Sequence, residues 1–479
     1  MSKNVKNTII YTIGNILPKA AGFILLPIYT NYLSPSDYGL INAMQIMQPI
    51  LAILFSAGFS GSVFRLYYDY ESIEENKTFF STMFLFSFFI SSVFLLFMLI
   101  FNRYIQNIYS SISFFPYFLF TILTTFFSNF FIIPQKIMML KDQALKYVFW
   151  SFMQFILTAG LTLWFLIVFL EGPVGFLKAR MISAILLLPF FLFMLRKYIN
   201  FKFSISILKN LLSFSLPLVP YLLSNWILDF SDRVFIERYF SLKDVGIYSL
   251  AYGIASLSFL VSSSIDLAYR PTFFKYANME DQQKGKKLIS YYNTIILVVS
   301  ISFAFILSLF GKELIFLLIN SRFKEAYHYL PIILASNIFV VGSGLTARFY
   351  EQSKKTKQNM VIYLFAMCLN IGLNYLLIPE YSIYGAAVAT ILSFFFVFLY
   401  TYNYAKRKCY FTPINWNIIL PLITVFIVII ICFLYFDGIN IFLSLILKII
   451  LLIILSSILI IKYYKDLISL INYQRAKIN

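Results

Sequence analysis

About fourteen times along its 479 residues the sequence runs for some 20 residues with almost no charge, and that succession restricts the fold more than anything else in it. An α-helix of about 20 residues spans the ~30 Å hydrocarbon core of a bilayer. On this rule the predicted spans are residues 8–32, 38–63, 78–101, 112–134, 147–170, 174–195, 209–230, 244–271, 288–310, 325–349, 358–378, 383–405, 415–436 and 440–463. Inside lipid every backbone N–H and C=O must find its partner within the segment, which at this length means a helix. The expected fold is therefore an all-α polytopic membrane protein. A composition of 61% hydrophobic and 12% charged residues, with mean hydropathy +0.83, excludes a soluble globular domain.

One hairpin between two such spans is used twice. Tyr32, Ser34, Asp37 and Gly39 recur as Tyr239, Ser241, Asp244 and Gly246, at a constant offset of 207 residues. In each copy the serine and aspartate stand where they can cap the second helix of the pair. Continued into that helix, the offset sets Asn42, Gln45, Pro49, Ala52 and Ser56 opposite Ser249, Tyr252, Ser256, Phe259 and Ser263, each set on one helix face. Six helices return a chain to its starting side, so the two halves are expected to run parallel about an axis along the membrane normal. The expected division is a six-helix bundle in residues 1–200, a second in 201–408, and two further helices with a tail in 409–479.

The net charge of +18 would suggest a nucleic-acid partner in a soluble protein, but here position decides. The termini and even-numbered loops hold 25 Lys and Arg, against 7 in the odd-numbered loops, which include Arg233 and Arg238. The positive-inside rule then predicts cytoplasmic termini and explains the charge without nucleic acid. Cys368, Cys409 and Cys432 have no metal-ligand spacing and His328 is the single histidine, so a zinc site, a disulfide scaffold and a His-based triad lack support. No loop exceeds about sixteen residues, which leaves little room for the extramembrane site a polymer-building enzyme needs, and a non-enzymatic role is expected.

Several spans carry polar residues on one face. Ser, Thr and Asn stripes serve helix packing, whereas charges at a helix centre cost roughly 2.5–3.5 kcal/mol each and should face water or one another. The polar candidates for a lumen are Asn42, Gln45, Gln154, Asn225, Tyr252, Asn370 and Asn374. Lys19 lies nearly mid-span on a polar face, while Lys178, Arg180, Arg270 and Arg348 lie near span ends, where snorkelling is the alternative. Asp266 with Arg270, and Arg348 with Glu351, are spaced to pair within their own helices. Lys448 is expected to snorkel.

The opening residues 7–39, Asn-Thr-Ile-Ile-Tyr-Thr-Ile-Gly-Asn-Ile-Leu-Pro-Lys through Tyr-Leu-Ser-Pro-Ser-Asp-Tyr-Gly, resemble the start of bacterial polysaccharide transporters. Ser-Leu-Pro-Leu-Val-Pro at 215–220, Asp-Arg-Val-Phe-Ile at 232–236 and Val-Gly-Ile-Tyr-Ser-Leu-Ala-Tyr at 245–252 are similar to the same family, the Wzx-type O-antigen and capsule flippases of the multidrug/oligosaccharidyl-lipid/polysaccharide superfamily. The resemblance implies two six-helix bundles in a V, as in multidrug MATE transporters, around a cationic lumen lined by Lys19, Arg65, Arg180, Arg270 and Arg348. It also implies alternating access, driven by an ion gradient or the membrane potential, that moves undecaprenyl-pyrophosphate-linked oligosaccharide across the bacterial cytoplasmic membrane, with membrane lipids and polysaccharide assembly proteins as partners; on that reading Asp229, Asp266 and Glu351 are the candidate carboxylates for a coupling ion, H+ or Na+, and no other cofactor is expected. Fourteen helices rather than twelve point towards the lipid II flippase branch. A drug/cation antiporter, a flippase for another lipid-linked precursor and a membrane polymerase remain as alternatives. The first of these predicts an acidic lumen, and the last a large outer loop.

Overall fold

The computed structural model describes residue 14, residues 22–408 and 413–435, and residues 444–446, 448–450 and 452–453. No strand occurs among them. The helices are α1 (Leu26–Tyr32), α2 (Pro35–Phe55), α3 (Ile73–Ile100), α4 (Phe114–Leu140), α5 (Ala144–Val168), α6 (Gly172–Leu195), α7 (Ile205–Tyr239), α8 (Leu242–Ala277), α9 (Gln282–Leu318), α10 (Ala326–Gln352), α11 (Thr356–Lys408) and α12 (Trp416–Tyr435). Ten of the described helices, α2 to α11, are long and apolar enough to cross a membrane. The chain is a multi-pass membrane protein.

Helix α11 holds two of the expected spans. Ser382 breaks it with φ 51° and ψ −134°. The chain turns back there so tightly that a methyl group at Gly385 would run into the Leu377 carbonyl, although eight residues of straight helix measure ~12 Å. The second to the thirteenth expected spans thus each hold a helix, the second ending at Phe55 rather than at residue 63. The first and the fourteenth lie largely outside the described residues, and with them the count of fourteen.

Both repeated hairpins are capped as their sequence requires. The Ser34 hydroxyl accepts from the Asp37 N–H at 3.1 Å while the Asp37 carboxylate accepts from the Ser34 N–H at 3.0 Å, closing a capping box at the start of α2. Ser241 accepts from the Asp244 N–H at 3.3 Å at the start of α8. The two copies also touch. Gly39 of α2 and Gly246 of α8 face each other so closely that a Cβ on Gly39 would collide with the Leu242 carbonyl, and one on Gly246 with the Pro35 carbonyl. Only glycine permits this crossing.

Around it α2 and α8 share one apolar cluster, in which Ile41, Ala43, Met44, Val245, Ile247, Leu250 and Ala251 are all buried. Further contacts between the halves lie at this end and along α2, while at the basic-loop end the start of α7, with Ile207 and Leu211, packs on Phe59, Val63 and Phe79. The Trp226 indole N–H donates to the Ile46 carbonyl at 2.6 Å, Asn320 binds Asn31 at 3.0 Å, and the Tyr38 and Phe323 rings meet edge to face. This is a seal between the halves, at the end of the bundle away from the Lys- and Arg-rich loops.

Two expectations about charge need correction. The span 209–230 stops too early, because α7 continues to Tyr239 and turns Arg233 from a loop charge into a helical one that is 3% exposed. Lys448 does not snorkel: its ammonium binds Glu313 of α9 at 2.7 Å, with both side chains 12% exposed.

Candidate functional site

On the basic-loop side of the seal, three voids follow one another through the molecule. The first, about 260 Å³ and within the first half, is lined by Tyr29, Tyr38, Asn42, Gln45, Thr158, Thr162 and Arg180. The second, about 360 Å³, lies between α1 and α8 and is mainly apolar, with Phe23, Leu26, Leu257 and Leu260. It shares Gly22 and Leu26 with the first void, and Ser256, Phe259 and Ser263 with the third. The third, about 400 Å³ in the second half, is lined by Asn225, Asp229, Tyr252, Ser262, Asp266 and Asn337 among others. The equivalent stripes of α2 and α8 therefore face the voids of their own halves: Asn42 and Gln45 in one, Tyr252, Ser256, Phe259 and Ser263 in the other.

The voids differ in charge. Arg180 donates from Nη2 to Gln48 Oε1 at 3.1 Å and has no carboxylate partner among the described residues. Its Nε and the Gln48 amide nitrogen are buried without a hydrogen-bond partner. Gln48 lies one turn beyond Gln45 on α2, so extending the sequence stripe by three residues would have found it. An unpaired guanidinium with a fixed amide beside it, among Tyr, Asn and Thr side chains, suits an anion that also carries hydroxyl groups.

In the second half the charges are mostly matched. Asp266 and Arg270 do not pair along α8, nor Arg348 and Glu351 along α10. The pairs cross between helices, Asp266 with the buried Arg348, and Arg270 with Glu351 at 2.7 Å. Residues 266 and 270 on one helix face 348 and 351 on its neighbour, and this ladder bonds two helices where intrahelical pairs would bond none. Arg233 Nη1 binds Asp232 Oδ1 at 2.8 Å and the Asp229 carbonyl at 2.8 Å, and its guanidinium lies over the Tyr252 ring at 4.2 Å. Tyr248 donates its hydroxyl to the other oxygen of Asp232. The Asp229 carboxylate lines the void and makes no hydrogen bond or ion pair among the described residues. Sequence spacing held a trace of this cluster, since Asn225, Asp229, Arg233 and Glu237 follow at i+4 on one face.

The other candidates lie elsewhere. Arg65 is exposed on a short helix at the basic end and pairs with Asp69 at 2.7 Å. Gln154 is half-buried on α5, one turn from Thr158. Asn370 and Asn374 are buried and share Ser231 Oγ at 3.1 and 3.2 Å, joining α11 to α7. Lys19 lies outside the described residues. Among the described residues no three His, Cys, Asp or Glu side chains gather to hold a metal ion.

Comparison with known proteins agrees with this architecture. A protein of the Lsg locus of Haemophilus influenzae is 26% identical over 70% of this chain and 81% of its own. A protein of Haloferax volcanii described as a probable low-salt glycan biosynthesis flippase is 26% identical over 39% of each chain. Among solved structures, the lipid II flippase MurJ in an inward closed conformation superposes with a TM-score of 0.71 at 18% identity, over 96% of this chain and 100% of that one. An inward-facing multidrug MATE transporter gives 0.62 at 15% identity, over 81% and 93%. At such identities the likeness is one of fold, the two-bundle MATE-like arrangement. The MatE family profile matches residues 217–376. The profile of the polysaccharide biosynthesis proteins matches residues 4–277, more than half of the sequence, and the chain belongs to that family.

Proposed function

We propose that the protein is a flippase that moves a lipid-linked oligosaccharide, of the undecaprenyl-pyrophosphate kind, across the bacterial cytoplasmic membrane for surface polysaccharide synthesis. The observation that carries the proposal is Arg180, an unpaired cation in a void otherwise lined by hydroxyl and amide groups. A pyrophosphate or acidic sugar is drawn to it, while Asn42, Gln45 and Thr158 offer hydrogen bonds to sugar hydroxyls. The apolar void between α1 and α8 suits the start of a lipid chain. The Haloferax relative is named a glycan biosynthesis flippase, and a Staphylococcus aureus relative, 26% identical over 36% of this chain and 44% of its own, is named a capsular polysaccharide biosynthesis protein; both support this reading.

The seal supports alternating access. With the basic loops in the cytoplasm, the Gly39/Gly246 crossing closes the outer end and the voids face inward. Opening the crossing and closing the opposite end transfers the head group without carrying its charge through lipid. Asp229, the lumen carboxylate without a bonded partner, is the first candidate for coupling to H+ or Na+, ahead of the paired Asp266 and Glu351. The same carboxylate favours a second reading, a drug/cation antiporter. Expression in a bacterium lacking its own O-antigen flippase separates the two. Restored surface polymer with cleared lipid-linked intermediates supports the flippase. Drug resistance without polymer supports the antiporter.

A further inference from the structure

Hydrogen-bonding capacity divides the two polar voids more sharply than charge does. In the third void, within the second half, the donors are spent. Asn225 gives its amide nitrogen to the Tyr221 carbonyl at 2.8 Å, and Asn337 gives its own to the Ala255 carbonyl at 2.9 Å. A carbonyl only accepts, so these bonds fix which end of each amide is nitrogen and leave the oxygen without a partner among the described residues. Asn337 is 5% exposed and lines the void. Ser256, Ser262, Ser263 and Ser343 each donate their single hydroxyl hydrogen to a carbonyl of their own helix, at 2.6, 3.0, 3.0 and 2.9 Å, and keep only lone pairs for a ligand. The Tyr252 and Tyr363 hydroxyls, which can donate or accept, are the exceptions in the lining.

Asp229 adds a carboxylate to these acceptors, and the cations around it are committed elsewhere: Arg233 to Asp232, Arg348 to Asp266 and Arg270 to Glu351. In the first void the open positions are donors, on Arg180 and its neighbour Gln48. A set of acceptors around one unmatched carboxylate requires a ligand that brings N–H groups and positive charge, and an ammonium has three such groups and no lone pair. We infer that the third void takes the free amino group of a sugar, so that the transported head group is zwitterionic, with its phosphates at Arg180 and its amino sugar at Asp229. The void between α1 and α8 shares residues with both of the others, so one molecule can reach from the first to the third. Sugar hydroxyls donate to the free Asn225 and Asn337 oxygens, and the rings of Tyr363 and Phe394 in the wall suit a cation. An acidic sugar would set a second carboxylate beside Asp229 with no cation between them, which selects against it. That the amine belongs to a sugar rests on the flippase reading above. A coupling cation and the ammonium would hold the Asp229 carboxylate in turn.

The methyl glycosides of glucosamine and of N-acetylglucosamine differ only at that nitrogen, and calorimetric titration of each onto the full chain in detergent tests the site. The amine should bind roughly tenfold or more tightly, as a hydrogen bond to a charged group warrants. Asp229→Asn, of nearly the same size, should bind the two alike. Equal affinities in the wild type overturn the inference whether or not the variant folds. A preference for the amine that survives in Asp229→Asn overturns it as well. Ethylamine, which lacks the hydroxyls, should bind at least about tenfold more weakly than the amino sugar; equal binding would assign the void to a free organic cation and overturn the sugar. Surface polymer reads the flippase proposal separately, since a protein that binds the amino sugar in this way yet restores no polymer refutes that proposal and leaves the binding site standing.

Discussion

Gly39→Ala should unseal the protein, and the size of the effect follows from what the added methyl group meets. It meets backbone, the Leu242 carbonyl, rather than a side chain that can rotate away, so α2 and α8 must separate. Overpacking of this kind costs about 1–3 kcal/mol. The cost falls on the sealed state alone, because the crossing is absent once the halves part. The better helix propensity of alanine, about 1 kcal/mol, is gained in both states and cancels. The unsealed-to-sealed ratio should therefore rise roughly 5- to 150-fold. A cysteine placed at Asn42, in protein without the native cysteines, reports this through its labelling rate with a membrane-impermeant maleimide added on the sealed side. Gly253→Ala, on α8 where nothing lies within 4 Å of the added carbon, should label at the parental rate. A parental rate in Gly39→Ala would refute the argument. Gly246→Ala should act alike, and the double variant should fall short of the sum because both relieve one contact.

Three further outcomes are expected. Arg180→Ala should cut surface polymer about tenfold or more at unchanged protein level, with Arg180→Lys in between, since a guanidinium bond to an anion is worth about 1.5–3 kcal/mol; immunoblots of polymer and protein check this. Lys448→Met should lower thermal stability in detergent, by about 3 kcal/mol, because it leaves the part-buried Glu313 carboxylate without its cation, and adding Glu313→Leu should recover most of the loss; melting curves in detergent check this. Arg348→Ala should destabilise more than Arg270→Ala, which costs below about 1 kcal/mol, since Arg348 is buried beside a half-exposed Asp266 while both members of the second pair are exposed; parallel melting curves decide.

Much of the architecture was legible because lipid permits so few solutions. Apolar length marked the helices, and the serine–aspartate caps marked the repeat, down to the glycines that meet across it. What the pattern withheld was partnership. Asp266 and Arg270 sit at a spacing that suits an intrahelical bond, yet each pairs with α10, because sequence spacing reports neighbours on one helix and not those across a groove. Arg233 looked like a loop charge only because α7 stays helical through a polar stretch that hydropathy reads as its end. The Lys448 partner, Glu313, is 135 residues away in sequence, a separation that no local pattern encodes. The voids followed the stripes of α2 and α8, but the split in charge between them depended on which carboxylates were already taken.

The central claim is that the chain carries a lipid-linked oligosaccharide from one leaflet to the other, and the most direct test is the movement itself. Purified protein in liposomes loaded with such a lipid, probed with a membrane-impermeant glycosidase, reports how fast inner-leaflet sugar reaches the outside. The account predicts conversion of the protected half only when the protein is present, and its loss in Arg180→Ala. Equal protection with and without the protein, or undiminished movement in Arg180→Ala, would contradict it.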